Sequence, residues 1–165
     1  MLTGCGSKSS FVLPFEQFSV KMYDNEKVYA TNLSETDIEG MKIIKEMKEQ
    51  TAIVDTGFIN SLFVVQTSIV SGTTLKELVD GNTKQLQLKL LKYVSLENKE
   101  EKVKCNKLQY TWYITAFSYL LGQEKLYDAQ YYLLDNEKLY VISLSSDNED
   151  DINSFVKSMN TITCK

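Results

Sequence analysis

The sequence predicts an α+β domain, an antiparallel β-sheet with helices packed on it, and three observations carry that prediction. First, Leu108, Tyr110, Trp112, Ile114 and Ala116 alternate with Gln109, Thr111, Tyr113 and Thr115, the period of two that side chains follow along a strand. Second, Thr36-Asp37-Ile38-Glu39, Thr74-Leu75-Lys76-Glu77 and Ser146-Asp147-Asn148-Glu149 are capping boxes, each followed by apolar residues at helical spacing. Third, 165 residues with 43% hydrophobic content, one proline and seven glycines suit one domain with a real core, not a disordered or low-complexity chain.

Taken in order, Phe11 to Tyr23 and Lys27 to Asn32 read as a hairpin around Asp24-Asn25-Glu26, with Pro14 placing the first strand after itself or along an edge. Ile38, Met41, Ile44 and Met47 then predict a first amphipathic helix behind its capping box. Leu62 to Val70 is an apolar run suited to a central strand covered on both faces. A second helix is expected from Thr74 to about Leu91, with Leu75, Leu78, Val79, Leu86 and Leu90 on one face and Gly81 as its weak point. A meander follows over Tyr93–Glu97, Lys102–Cys105, Leu108–Leu120, Lys125–Leu134 and Leu139–Ser145. In this reading Glu100 and Glu101, beside Lys99 and Lys102, form a solvated turn. A last helix carries Ile152, Phe155, Val156 and Met159 as its buried stripe. The near match of Asp24–Tyr29 with Asp135–Tyr140 reads either as a duplication or as two similar solutions to one hairpin problem.

Composition excludes more than any motif selects. All 18 basic residues are lysine, so the chain lacks both the guanidinium fork used for phosphate and base recognition and the imidazole that shuttles protons near neutral pH. With 22 carboxylates the formal charge is −4, which repels nucleic acid on average. Apolar runs such as Leu62-Phe63-Val64-Val65 fall far short of the roughly 18 residues that span a bilayer.

Leu2-Thr3-Gly4-Cys5 resembles the lipobox that ends the signal peptide of bacterial lipoproteins. The resemblance implies a diacylglyceryl group on the Cys5 thiol and cleavage before it, so that residues 1–4 are a signal-peptide remnant. A basic and apolar leader is then expected to be encoded upstream of Met1. Residues 5–10 form the lipidated cysteine and a small, polar tether, and residues 11–165 form a single α+β domain. Two acyl chains anchor a protein stably, which implies a domain held to the cell membrane through Cys5 on the extracytoplasmic face.

The order of elements, with the opening hairpin over residues 11–32, Thr74-Leu75-Lys76-Glu77-Leu78 and Tyr140-Val141-Ile142-Ser143-Leu144 leading to Asn153-Ser154-Phe155-Val156-Lys157-Ser158, resembles the PsbP-like fold, which includes DcrB-type lipoproteins. That resemblance implies an α/β/α sandwich that acts by binding other proteins, with no shared catalytic motif and no cofactor. The expectation is a non-catalytic binding module of the envelope whose partner is another envelope protein.

Several residues invite chemistry. In an exported chain Cys105 and Cys164 read as one disulfide or as two separate thiols, and their spacing does not choose. Ser154 and Lys157 have the Ser-x-x-Lys spacing of an acyl enzyme without its companion motifs, so a hydrolase using them or a carboxylate is the rival reading. Asp147, Glu149, Asp150 and Asp151 are better placed to face the amide end of a helix than to hold a metal ion. Tyr110, Tyr113, Tyr127, Tyr131 and Tyr132 cluster on neighbouring strands, where they serve either as an interaction surface or as core. A carrier of an apolar ligand is a third reading and requires a cavity.

Overall fold

The computed structural model describes residues 10–14, 18–23, 29–32, 37–38, 41–49, 58, 60–105, 108–135, 137–159 and 162–164, with side chains described over 58, 60–102, 110–134 and 137–157. The chain forms β1 (Ser10–Pro14), β2 (Phe18–Tyr23), β3 (Tyr29–Asn32), β4 (Asp37–Ile38), β5 (Met41–Glu49) and β6 (Ser61–Ser68), followed by α1 (Leu75–Lys89). It continues through β7 (Leu91–Cys105), β8 (Leu108–Leu121), β9 (Glu124–Asp135) and β10 (Lys138–Ser146), and ends with α2 (Glu149–Met159) and β11 (Ile162–Cys164). An eight-stranded antiparallel sheet runs β3-β5-β6-β10-β9-β8-β7, with β4 paired to β5, and a second sheet runs β1-β2-β11. The body of the larger sheet is β6-β10-β9-β8-β7, with a helix on each face, which is the predicted α+β architecture.

Strand alternation sorts the core into two layers. Trp112, Ile114 and Ala116 of β8, Tyr131 of β9 and Ile142 of β10 bury against Ile152 and Phe155 of α2. The neighbouring positions Tyr132 and Leu139 bury on the other face, against Leu75 and Val79 of α1. Phe155 meets the Tyr131 ring edge-on at 5.3 Å, and the Tyr131 hydroxyl donates to the carbonyl of Val156 at 3.2 Å. β6 is interior to the sheet, with Leu62 and Val64 buried.

α1 starts where its capping box places it. The Thr74 hydroxyl accepts the Glu77 amide at 3.3 Å, and the Glu77 carboxylate accepts the Thr74 amide at 2.9 Å. These bonds hold the Glu77 carboxyl below its usual range. β8 and β9 join through Gly122-Gln123, where Gly122 adopts φ +64°, a left-handed value that glycine takes without strain.

Several expectations are corrected. The first predicted helix is strand: Asp37–Ile38 and Met41–Glu49 pair in the sheet. A β-bulge between Ile43 and Lys45 inserts one residue into β5, which breaks period-two alternation and leaves apolar residues three apart, mimicking a helix. The predicted hairpin of residues 11–23 with 27–32 does not form. β2 pairs with β1 and β11, whereas β3 pairs with β5 in the other sheet, so the two echoing segments do not build equivalent units. Pro14 sits at the end of the edge strand β1, an edge being one of the two placements that the sequence allowed it.

The Glu100–Glu101 segment is not a turn, because β7 runs unbroken through it. Lys99 pairs with Glu101 at 2.8 Å, and Lys102 lies 3.8 Å from Glu100, a charged ladder of the kind that edge strands carry against stray pairing. α2 is capped two residues later than predicted. Asn148 accepts the Asp150 amide at 3.0 Å, while Ser146 donates to buried Asp151 at 2.6 Å instead of closing a box with Glu149.

A methyl group added at Gly81 meets no atom within 4 Å. Gly81→Ala is therefore expected to stabilise the protein by about 0.5–1 kcal/mol through helix propensity. Urea denaturation checks this, with the midpoint rising at unchanged slope.

Candidate functional site

The α1 face of the sheet carries the site. Where α1 begins, a cleft of about 370 Å³ opens between the helix and the sheet, lined by Thr74, Leu75 and Lys76 from the helix side and by Glu100, Tyr113 and Leu134 from the strands, with Tyr110 and Thr111 at its margin. Its size lies at the low end of ligand-binding pockets. The floor is apolar, and the rim carries one cation and one anion. Lys76 is bridged to Asp80 at 2.5 Å, which raises the affinity of its amine for the proton. Among the described residues no hydrogen bond engages the Tyr113 hydroxyl.

Deeper under α1 the sheet turns polar, with Asn82, Gln130, Tyr132 and Asp128 each hydrogen-bonded. The Asn82 amide of α1 donates to Tyr132 Oη at 2.5 Å and to Gln130 Oε1 at 3.1 Å, and the Tyr132 hydroxyl donates to Gln130. Burial pushes the Tyr132 phenol up to about 12. Further along β9, buried Asp128 accepts the hydroxyls of Ser145 at 2.6 Å and Ser143 at 3.3 Å. Removal of its carboxylate from water outweighs these donors and pushes it up to about 7. The nearby Tyr119 phenol is pushed up to about 12 by partial burial and by the charge of Asp128. Of these polar residues the sequence singled out Tyr132 alone, as a candidate interaction residue. The one signal for the rest was polar residues at Asp128 and Gln130 in an otherwise core-like strand.

The five singled-out tyrosines do not form one surface. Tyr131 is buried under α2 and Tyr132 under α1, because consecutive residues of a strand point to opposite faces. Tyr110 and Tyr113 border the cleft, and half-buried Tyr127 lies 5.0 Å beneath the Lys125 ammonium, packed on the α2 side. Ser154 is half-buried and Lys157 exposed, both on α2, across the sheet from the cleft. Of the acidic cluster, Asp147 exchanges hydrogen bonds with Asn60 at 2.8 and 2.9 Å and Asp151 is held by Ser146, while Glu149 and Asp150 are exposed on the first turn of α2. Cys105 ends β7 and Cys164 ends β11, in different sheets, and their side chains lie outside the described residues, as does the whole of Cys5.

Among solved structures the chain is similar to cyanobacterial PsbP (CyanoP) from Synechocystis sp. PCC 6803, at 14% identity and a TM-score of 0.59, over 100% of this chain and 98% of that one. It is also similar to PA94, a protein of unknown function from Pseudomonas aeruginosa, at 9% identity and a TM-score of 0.52, over 94% and 97% of the two chains. LpqN, involved in cell envelope biogenesis of Mycobacterium tuberculosis, aligns at 6% identity and a TM-score of 0.48 over 96% and 92%. At such identities the likeness shows fold alone: the domain has the PsbP-like α+β fold. No protein-family model and no curated protein matches the sequence. No helix among the described residues is long and apolar enough to cross a membrane.

Asp128 yields a pH prediction. Its value in the folded protein lies above that of an unfolded chain, so its favourable contribution is full below about pH 4 and is lost as pH rises through about 7. Asp128→Asn, neutral throughout, is expected to gain on the wild type by up to about 4 kcal/mol between those limits. Melting temperatures of both proteins from pH 4 to 8 check this, and parallel curves contradict it.

Proposed function

We propose that this chain is a lipid-anchored module of the bacterial cell envelope that works by binding another envelope protein and catalyses no reaction. The observation that carries this reading is Leu2-Thr3-Gly4-Cys5 followed at once by the small, polar stretch Gly6 to Ser10, the arrangement of an acylated cysteine and its tether. The PsbP-like domain supports it, as a rigid two-faced platform held close to the membrane. The cleft at the start of α1 gives the platform a place to receive a partner's side chain, with an apolar floor of Leu75 and Leu134 and a rim of Lys76 and Glu100. The same cleft is the feature that a carrier of a small apolar ligand would use. Its openness to the charged rim suits a protruding residue of a partner better.

The anchor is tested in the protein expressed from its own gene in a bacterial host. Cys5→Ala is expected to move the protein from the membrane fraction to the soluble extracytoplasmic fraction, and metabolic labelling with a fatty acid is expected to mark the wild type alone. Unchanged membrane partition of the variant, or an unlabelled wild type, overturns the reading.

A further inference from the structure

We infer that the corner where α1 runs into β7 is a docking surface for an anionic phospholipid bilayer. Large apolar side chains stand in solvent there: Leu88 on the last turn of α1 is 87% exposed and Leu91 at the start of β7 is 62% exposed, with Val94 also exposed. The sheet register puts them together. Leu91, three residues after Leu88, and Val94 pair with Leu120 and Ser118, alternate residues of β8, and so share one face of the sheet. Where α1 passes into β7, Lys92 adopts φ +50°, uncommon for a residue with a side chain, and the ladder is bulged between Leu91 and Val94.

Charge selects the occupant. Residues 81–96 contain Lys84, Lys89 and Lys92 and no carboxylate, in a chain with 22 carboxylates and a net charge of −4. Lys84, Lys89 and Lys92 are all exposed. Projecting leucines ringed by lysines match the layered chemistry of a membrane interface, where apolar side chains enter the acyl boundary and ammonium groups meet anionic headgroups. The whole protein is acidic, so only a local arrangement of this kind draws it to an anionic surface.

The test uses the full chain without lipid, which separates it from the fate of Cys5. Flotation is measured with vesicles of phosphatidylcholine containing about one third phosphatidylglycerol and with phosphatidylcholine alone. The wild type is expected to float with the anionic vesicles and to be released by salt. Leu88→Gln combined with Leu91→Gln is expected to weaken partition by about tenfold or more, with an unchanged melting temperature because both residues are exposed. Lys89→Gln combined with Lys92→Gln is expected to abolish the preference for anionic vesicles. Failure of the wild type to float, equal flotation with both vesicles, or flotation that the leucine variant retains overturns the inference.

Discussion

A strand covered on both faces has no position to spare, and β9 is where this constraint binds hardest. Its odd positions Ala129, Tyr131 and Leu133 must pack under α2, while its even positions Leu126, Asp128, Gln130 and Tyr132 must be accommodated on the α1 face. The first set is solved by shape, with the small Ala129 opposite Ala116 making room beside the large Tyr131 ring, and by the one bond from the Tyr131 hydroxyl to the Val156 carbonyl. The second set contains groups that keep their hydrogen bonds only if partners are supplied. β10 supplies Ser143 and Ser145 for Asp128, and α1 supplies Asn82 for Gln130 and Tyr132. The position of α1 and the sequence of β10 are thus both answers to β9.

The parts legible in the sequence are those governed by local rules. The α1 capping box, the alternation of β8 and the burial of Ile152 and Phe155 in the α2 stripe each follow from spacing within a dozen residues and stand in the structure as read. Where the reading failed, a non-local partner decided. β5 looks helical because its bulge scrambles the period, and only pairing with β3 and β6 reveals it as strand. β7 looks broken because its charges face solvent along the rim of the sheet, although pairing with β8 continues through them. The hairpin at residues 11–32 failed for the same reason, since two adjacent strands joined different sheets.

The site followed the same division. Tyr110 and Tyr113 could be singled out as aromatic, but their relation to the start of α1 exists only once that helix is laid across the strands. The Asp128 cluster was hidden because its members are drawn from β9 and β10 and read individually as ordinary polar residues. The α1–β7 corner was half visible: the lysines and leucines could be counted, whereas their exposure depends on which side of α1 the sheet occupies. Leu88 falls on the far side, and Val79 on the near one.

The contact of Asn82 with both Gln130 and Tyr132 has a mechanical consequence. Turning or sliding α1 along the sheet would break both bonds of Asn82 in this half-buried interface, each worth about 0.5–1.5 kcal/mol. The helix is therefore keyed to the sheet at its middle. Thr74, Leu75 and Lys76, two turns away on the same rigid rod, keep a fixed height above Tyr113 and Leu134. The mouth between them is preorganised: a guest enters an aperture whose width was set during folding and gives up little of its affinity to reshaping its host.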